Sequence, residues 1–294
     1  MKKYRVVKIL GGEIIVSDGD KNLPCVKTGN LKKSSRLCVG DFVEIKENTF
    51  DKSTYIIDKI LHRKNQLIRP NVANIDRLVI VTSIAPLPDF YLIDNLICYC
   101  FKNDIVPMIV VNKCDLMNEQ QIQSIVLQYK SVVSDIVVVS AKNEFGIDSL
   151  RKKLAGKFSA LAGQSAVGKS SLINALCPDL NLKSNGLSEK ILRGKHTTRH
   201  HEIFSFDNML IADTPGFSMF ELNSIKCDDL HTLYPDFAKF EQNCKYGGCT
   251  HINCDEKNCG VVSAVKNGQI CLERYQRYCK IYNDLKLYWR DKYD

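Results

Sequence analysis

Over residues 4 to 60 the apolar positions come in short, β-branched and partly alternating runs that turn residues interrupt. Tyr4–Leu10 stops at Gly11-Gly12, Glu13–Val16 at Asp18-Gly19-Asp20, and Leu23–Val26 leads into a basic stretch, Lys27–Arg36. Cys38–Gly40, Asp41–Ile45 and Tyr55–Ile60 follow. Strands this short, joined by hairpin-like turns, predict a small β-barrel, with an OB-type arrangement preferred.

The pattern changes at Ile75. Ile75 to Ile84 reads as a buried strand, and Pro86, Pro88 and Asp89 open an amphipathic helix to about Phe101. Val106 to Val111 is the next strand, followed by a helix around Glu119 to Ser131 and a strand over Ile136 to Val139. Gly146 to Gly156 makes a helix and turn, with Asp148, Leu150 and Leu154 near its faces, before the apolar run Phe158 to Ala162. Strand alternating with helix predicts an α/β fold, a parallel sheet covered on both faces with ligands at the carboxyl ends of its strands. Leu182 to His201 is polar and punctuated by glycine, and Glu202–Phe206 with Met209–Ala212 reads as a hairpin. After Gly268 an amphipathic helix carries Tyr275, Tyr278, Tyr282, Leu285 and Trp289 along one stripe. Such a stripe is first a packing face; the interleaved Arg274, Arg277, Lys280, Lys286 and Arg290 leave RNA contact open.

The chain has 294 residues, 45% of them hydrophobic and 25% charged, which suits two or three globular domains. No apolar run approaches the roughly twenty residues of a membrane-crossing helix, and Met1-Lys2-Lys3-Tyr4-Arg5 lacks an apolar signal core. A cytoplasmic protein with no membrane partner is expected. The 13 cysteines then read as reduced thiols or metal ligands. Nearly all of the net charge of +8 sits in the N-terminal segment, where residues 1–70 hold 15 Lys and Arg against 8 Asp and Glu, a net of +7. That excess suggests a phosphate-backbone partner, with Lys32, Lys33 and Arg36 as the densest candidate contacts; a solvated basic face is the plain alternative.

Chemistry concentrates in Gly163-Gln164-Ser165-Ala166-Val167-Gly168-Lys169-Ser170, with Ser171 next, between an apolar strand and a helix that runs to Leu176. This is the strand–turn–helix setting of a phosphate-binding P-loop. Gly163 and Gly168 let successive N–H groups converge on one anion, and the helix N-terminus adds positive potential. Lys169 can reach the β- and γ-phosphates and the Ser170 hydroxyl can ligate Mg²⁺. Upstream, Asn112-Lys113-Cys114-Asp115 closes one buried strand and Ser140-Ala141-Lys142 the next. A carboxylate at Asp115, held in a semi-buried pocket, can accept from the guanine N1–H and N2 amino group together. Adenine offers neither donor, a mismatch worth about 10⁴-fold. Either motif alone passes for an ordinary strand-to-helix turn.

Together with Asp213-Thr214-Pro215-Gly216, these residues resemble the motif set of Ras-like GTPases in rearranged order, the guanine motifs preceding the P-loop. The chain is similar to a circularly permuted GTPase. The resemblance implies that Thr198, in preference to Thr197, ligates Mg²⁺ and senses the γ-phosphate. It further implies that Asp213 serves the outer coordination of the metal and that Gly216 gives its N–H to the γ-phosphate. Phe217 stands where Ras-like enzymes carry a water-orienting glutamine. Hydrolysis should therefore be slow, or His196 should position the water; a solvated loop histidine is the plain reading. The catalytic candidates are thus His196, Lys169 and Thr198, with Arg199 as a further source of positive charge.

Cys244, Cys249, His251, Cys254 and Cys259 lie within sixteen residues. Three thiolates and an imidazole make a closed tetrahedral shell for a structural Zn²⁺. Cys244, Cys249 and His251 are expected ligands; Cys259, opening a helical stretch, is the fourth, with Cys254 its rival.

A basic barrel, a permuted GTPase and a Cys₃His domain together resemble the RsgA (YjeQ) family of small-subunit assembly GTPases over essentially the whole chain. The resemblance implies an OB-fold at about 1–66, the permuted GTPase at 67–225 and a mainly helical zinc domain at 226–294. It implies a monomer that binds the small ribosomal subunit and its rRNA and hydrolyses GTP to GDP with ribosome stimulation. It also implies one zinc per chain, Mg²⁺ with GTP, and water positioning by His196, the histidine before the paired threonines. Two other readings compete: a GTP-dependent RNA-binding switch with incidental hydrolysis, and a zinc-stabilised RNA chaperone that takes any nucleotide.

Overall fold

The computed structural model describes residues 2–27, 36–67, 71–178, 201–212 and 222–293. The first strands are β1 (Tyr4–Leu10), β2 (Glu13–Ser17), β3 (Asn22–Lys27), β4 (Phe42–Glu47) and β5 (Tyr55–Ile60). Their neighbour order is β1-β2-β3-β5-β4, and β4 returns to β1 through Tyr4↔Val43 and Arg5↔Phe42. Among the described residues this closes a five-stranded barrel in which the β3–β5 pairing is parallel and the other pairings are antiparallel. Strand alternation turns Val6, Ile14, Val16, Cys25, Val43 and Ile57 inward as one buried cluster. A small hairpin, β6 (Gln66–Leu67) with β7 (Val72–Ala73), leads out of the barrel.

The larger layer uses β8 (Arg77–Thr82), β9 (Val106–Val111), β10 (Asp135–Val138), β11 (Phe158–Ala162), β12 (His201–Phe206) and β13 (Met209–Ala212). β10-β9-β8-β11-β13 are parallel neighbours, and β12 runs antiparallel to β13. β8 shows why its unbroken apolar run is a two-faced strand. Leu78 and Ile80 join the core shared with α1 (Phe90–Lys102) and α2 (Glu119–Tyr129), while Val79 and Val81 join the core shared with α3 (Ile147–Leu154) and α4 (Lys169–Leu176). Asp89 caps α1, its carboxylate accepting from Leu92 N at 2.9 Å. β1 also pairs with β12, Lys8↔Glu202 and Ile9↔His201, so barrel and parallel layer form one continuous sheet.

The C-terminal residues form a 3₁₀ stretch, Cys227–Leu233, then α5 (Pro235–Glu241), α6 (Gly260–Lys266) and α7 (Leu272–Tyr293). Tyr278, Ile281, Tyr282 and Leu285 of α7 pack with Leu230, Phe237 and Val261, so the aromatic stripe is core. Cys98 of α1 belongs to the same cluster, which places this helical layer against the outer side of α1. Arg274 and Arg277, read above as open to RNA, are taken up inside the protein instead. The Arg274 side chain is fully buried and pairs with Asp94 of α1 and Asp236 of α5, while Arg277 also pairs with Asp94. A buried guanidinium needs such partners, because its desolvation is otherwise uncompensated.

Candidate active site and metal centre

The P-loop leaves β11 at Gly163, whose φ of +133° and close approach to Val81 exclude a side chain: a Cβ there would stand 2.2 Å from the Val81 carbonyl oxygen. Gly168, at φ +93°, is tight for a different reason, since a Cβ would meet Asn112 Nδ2 at 2.4 Å. The guanine-motif asparagine thus lies against the phosphate loop although 55 residues separate Asn112 from its Val167 partner. Asn112 Nδ2 donates to the Val167 carbonyl at 2.9 Å, and its Oδ1 accepts from Ala141 N at 3.1 Å. One buried amide therefore ties the P-loop to the Ser140–Lys142 loop.

Lys113, itself at φ 60°, donates from Nζ to the carbonyls of Ala85 at 2.6 Å and Ala166 at 2.7 Å. Gln164 Oε1 accepts from Asp89 N at 3.0 Å, so the start of α1 is attached to the same loop. Ser140 Oγ donates to Asp115 Oδ1 at 2.5 Å, aligning the carboxylate. Ser140 is buried, but Asp115, expected to be semi-buried, is exposed, because it stands past the end of β9 in a short 3₁₀ turn. Ser140 Oγ in turn accepts from Asn143 N at 3.2 Å. Lys169 Nζ donates to the carbonyls of Gly163 and Gln164 at 2.7 and 2.5 Å, and burial lowers its pKa. Ser165, Ala166, Ser170 and Ser171 complete the turn into α4, and Lys142 is exposed beyond Ala141. The Gly163–Ser170 loop and the Asp115 carboxylate thus lie side by side at the carboxyl ends of β9, β10 and β11, tied through Asn112 and Ser140.

His196, Thr197, Thr198, Arg199, Asp213, Gly216 and Phe217 lie outside the described residues, as do Lys32 and Lys33. Arg36 is exposed at the end of the basic stretch, its carbonyl accepting from Arg63 Nη2 at 2.8 Å.

At the other end of the chain, the ligand atoms of Cys244, Cys249, His251 and Cys259 all lie within 4.8 Å of one another, a group able to hold a metal ion. Cys244 Sγ stands 3.9 Å from Cys259 Sγ and 3.7 Å from His251 Nδ1. Cys259 Sγ stands 3.9 Å from Cys249 Sγ and 3.4 Å from His251 Nδ1. Cys254 Sγ is 3.8 Å from Cys249 Sγ but outside the four-ligand group, facing the Ile252 carbonyl at 3.4 Å. Burial raises the Cys259 thiol to about 12, and Val262 N donates to that sulfur at 3.5 Å. Sequence reasoning passed over Glu241, whose Oε1 lies 3.2 Å from His251 Nε2 and 2.6 Å from His231 Nδ1. Each partner is ten residues from Glu241, and no local motif links the three.

A P-loop on the same parallel sheet as an Asn112–Asp115 and Ser140–Lys142 pair that precedes it in the chain defines a circularly permuted GTPase. The RsgA GTPase family model matches residues 60–223. A relative from Geobacillus sp. (strain WCH70), the small ribosomal subunit biogenesis GTPase RsgA, is 38% identical over 97% of this chain and 98% of its own length. A relative of the same name from Agathobacter rectalis is 40% identical over 89% of this chain and 87% of its own. Among solved structures, YjeQ from Thermotoga maritima superposes with a TM-score of 0.84 at 32% identity, covering 97% of this chain and 98% of that one. YloQ, described as a circularly permuted GTPase, gives 0.80 at 30% identity, over 97% of this chain and 95% of its own. The chain belongs to the RsgA GTPase family.

Proposed function

We propose that this protein binds the small ribosomal subunit and its rRNA late in subunit assembly and hydrolyses GTP to GDP there, with the subunit stimulating turnover. The observation that carries the nucleotide reading is the Ser140–Asp115 hydrogen bond of 2.5 Å beside a P-loop that Asn112 braces. In this reading Asp115 accepts from the guanine N1–H and N2 amino group, and Ala141 and Lys142 line the base. The N–H groups of Gly163 to Ser171 cradle the phosphates, Lys169 neutralises their charge, and Ser170 and Thr198 ligate Mg²⁺. Asp213 and Gly216 serve the metal and the γ-phosphate, and His196 positions the attacking water in place of the side chain that Phe217 lacks. The relatives' shared name, small ribosomal subunit biogenesis GTPase, supports the subunit as partner.

One structural Zn²⁺ is held by Cys244, Cys249, His251 and Cys259. Zn–S of about 2.3 Å and Zn–N of about 2.0–2.1 Å give tetrahedral edges of about 3.8 Å between sulfurs and about 3.5 Å between nitrogen and sulfur. The separations of 3.9 and 3.9 Å, and of 3.7 and 3.4 Å, support that size of ion. The protein acts as a cytoplasmic monomer, with the barrel (1–66) and the zinc unit (226–294) flanking the GTPase unit (67–225). GTP turnover with and without purified small subunits tests the reading. A rise on adding subunits is expected; unchanged turnover would favour an RNA-binding switch with incidental hydrolysis.

A further inference from the structure

His251 faces the thiols through Nδ1 and meets a carboxylate through its other nitrogen, Nε2, 3.2 Å from Glu241 Oε1. The same oxygen lies 2.6 Å from His231 Nδ1, so one carboxylate oxygen serves two imidazoles. An imidazole nitrogen opposite a carboxylate carries the proton, which leaves the lone pair on the other nitrogen. The His251 side chain is 1% exposed, where an N–H without an acceptor is costly. The backbone holds the same pose: His251 has φ 60°, and its carbonyl accepts from Tyr275 Oη at 2.7 Å. Phe237 and His231 stand edge-on to its ring at 5.9 and 5.5 Å.

The geometry points to Glu241, shared between His251 and His231, as the positioning residue that fixes Nδ1 of His251 as the metal-binding nitrogen. This rests on the zinc reading above and adds the donor atom, the residue that selects it, and a role for His231 as the brace of that residue. His231 lies in the Cys227–Leu233 stretch, so the ligand's orientation is tied to the segment that enters the C-terminal helices. The donor atoms of His231, Glu241 and His251 also lie within 4.8 Å of one another. A second cation does not fit them as they stand. Two donors about 2.0–2.2 Å from one ion at a right angle are about 3 Å apart, and His231 Nδ1 and Glu241 Oε1 are 2.6 Å apart.

The test uses the full-length, zinc-loaded chain with ¹⁵N-labelled histidine. Long-range proton–nitrogen spectra should show His251 metal-bound at Nδ1 and protonated at Nε2. Against a chromophoric chelator, Glu241→Ala should weaken zinc binding about 10–100-fold, the usual effect of losing a ligand's hydrogen-bond partner. Glu241→Gln keeps an acceptor oxygen and should restore most of that loss, and His231→Phe should weaken binding less than Glu241→Ala. Metal bound at Nε2, unchanged affinity in Glu241→Ala, or Glu241→Gln as weak as Glu241→Ala would overturn the inference. So would two zinc ions per chain with one lost in His231→Phe. If Glu241→Ala fails to fold, the wild-type spectrum and the Glu241→Gln affinity decide. Absence of stoichiometric zinc in the wild type would sink the zinc reading itself. Loss of zinc in Cys259→Ser beside full retention in Glu241→Ala would leave zinc standing and remove only the role of Glu241.

Discussion

Replacing Arg274 with Met should separate the C-terminal helices from α1. The guanidinium is fully buried, and Nε and Nη2 donate to the two oxygens of Asp236 at 2.9 and 3.3 Å while Nη1 pairs with Asp94. It also stacks on Tyr234, 4.5 Å from the ring centroid. Met fills much of the volume, so the cost is electrostatic rather than a cavity. Asp94 keeps Arg277, but Asp236, with 6% of its side chain exposed, loses the cation it was buried with. Breaking a buried pair from one side costs about 3–5 kcal/mol. At about 1.4 kcal/mol per decade, amide exchange that proceeds by opening of α7 should accelerate by about two to four decades. Adding Asp236→Asn to Arg274→Met removes the stranded charge, and the double variant should recover much of the loss of about 3–5 kcal/mol, since neutral replacements of buried pairs are often tolerated. Urea unfolding together with hydrogen exchange read on α7 measures both. A cost below about 1 kcal/mol for Arg274→Met, or a double variant no better than the single, would refute the reasoning.

Gly168→Ala should abolish nucleotide binding while leaving the fold intact, because its Cβ would displace Asn112 Nδ2 from 2.4 Å; calorimetry with GTP and a circular dichroism spectrum check this. Ser140→Ala removes a hydrogen bond to a charged acceptor, typically worth about 1.5–3 kcal/mol, and should weaken GTP binding at least about tenfold without affecting phosphate-only ligands such as pyrophosphate. Asp135 is held below the ordinary carboxylate value of 3.8, chiefly by the Lys153 hydrogen bond and also by the charge of Arg77, against the opposing effect of burial. A depressed carboxylate contributes stability above its unfolded value and loses it as pH falls through the folded one. The advantage of wild type over Asp135→Asn should therefore be present at neutral pH and shrink below pH 3.8, as acid titrations of stability would show.

What the chain discloses about itself is local. Period-two runs, the strand–turn–helix frame of Gly163–Ser171, and Asn112–Asp115 at a strand end all act over fewer than ten residues, and each can be read without the fold. The helix opened by Asp89 and the aromatic stripe of α7 have the same character. Contacts between distant segments leave no such trace. Asp94 and Arg274 are 180 positions apart, and a lysine- and arginine-bearing helix face looks solvated until a buried carboxylate is seen opposite it. Glu241 is equally silent, because a glutamate near a helix end is ordinary surface chemistry until two histidines converge on it. The β1–β12 pairing that merges barrel and GTPase sheet depends on two edges meeting, which strand periodicity cannot specify.

In the proposed function, nucleotide choice rests on the carboxylate that Ser140 aligns reading a guanine edge. Isothermal calorimetry of GTP and ATP, each with Mg²⁺, on wild type and Asp115→Asn measures this directly. Wild type should favour GTP by several orders of magnitude, up to about 10⁴-fold, and Asp115→Asn should lose that preference and gain one for xanthosine triphosphate. Equal capture of GTP and ATP by the wild type would contradict it.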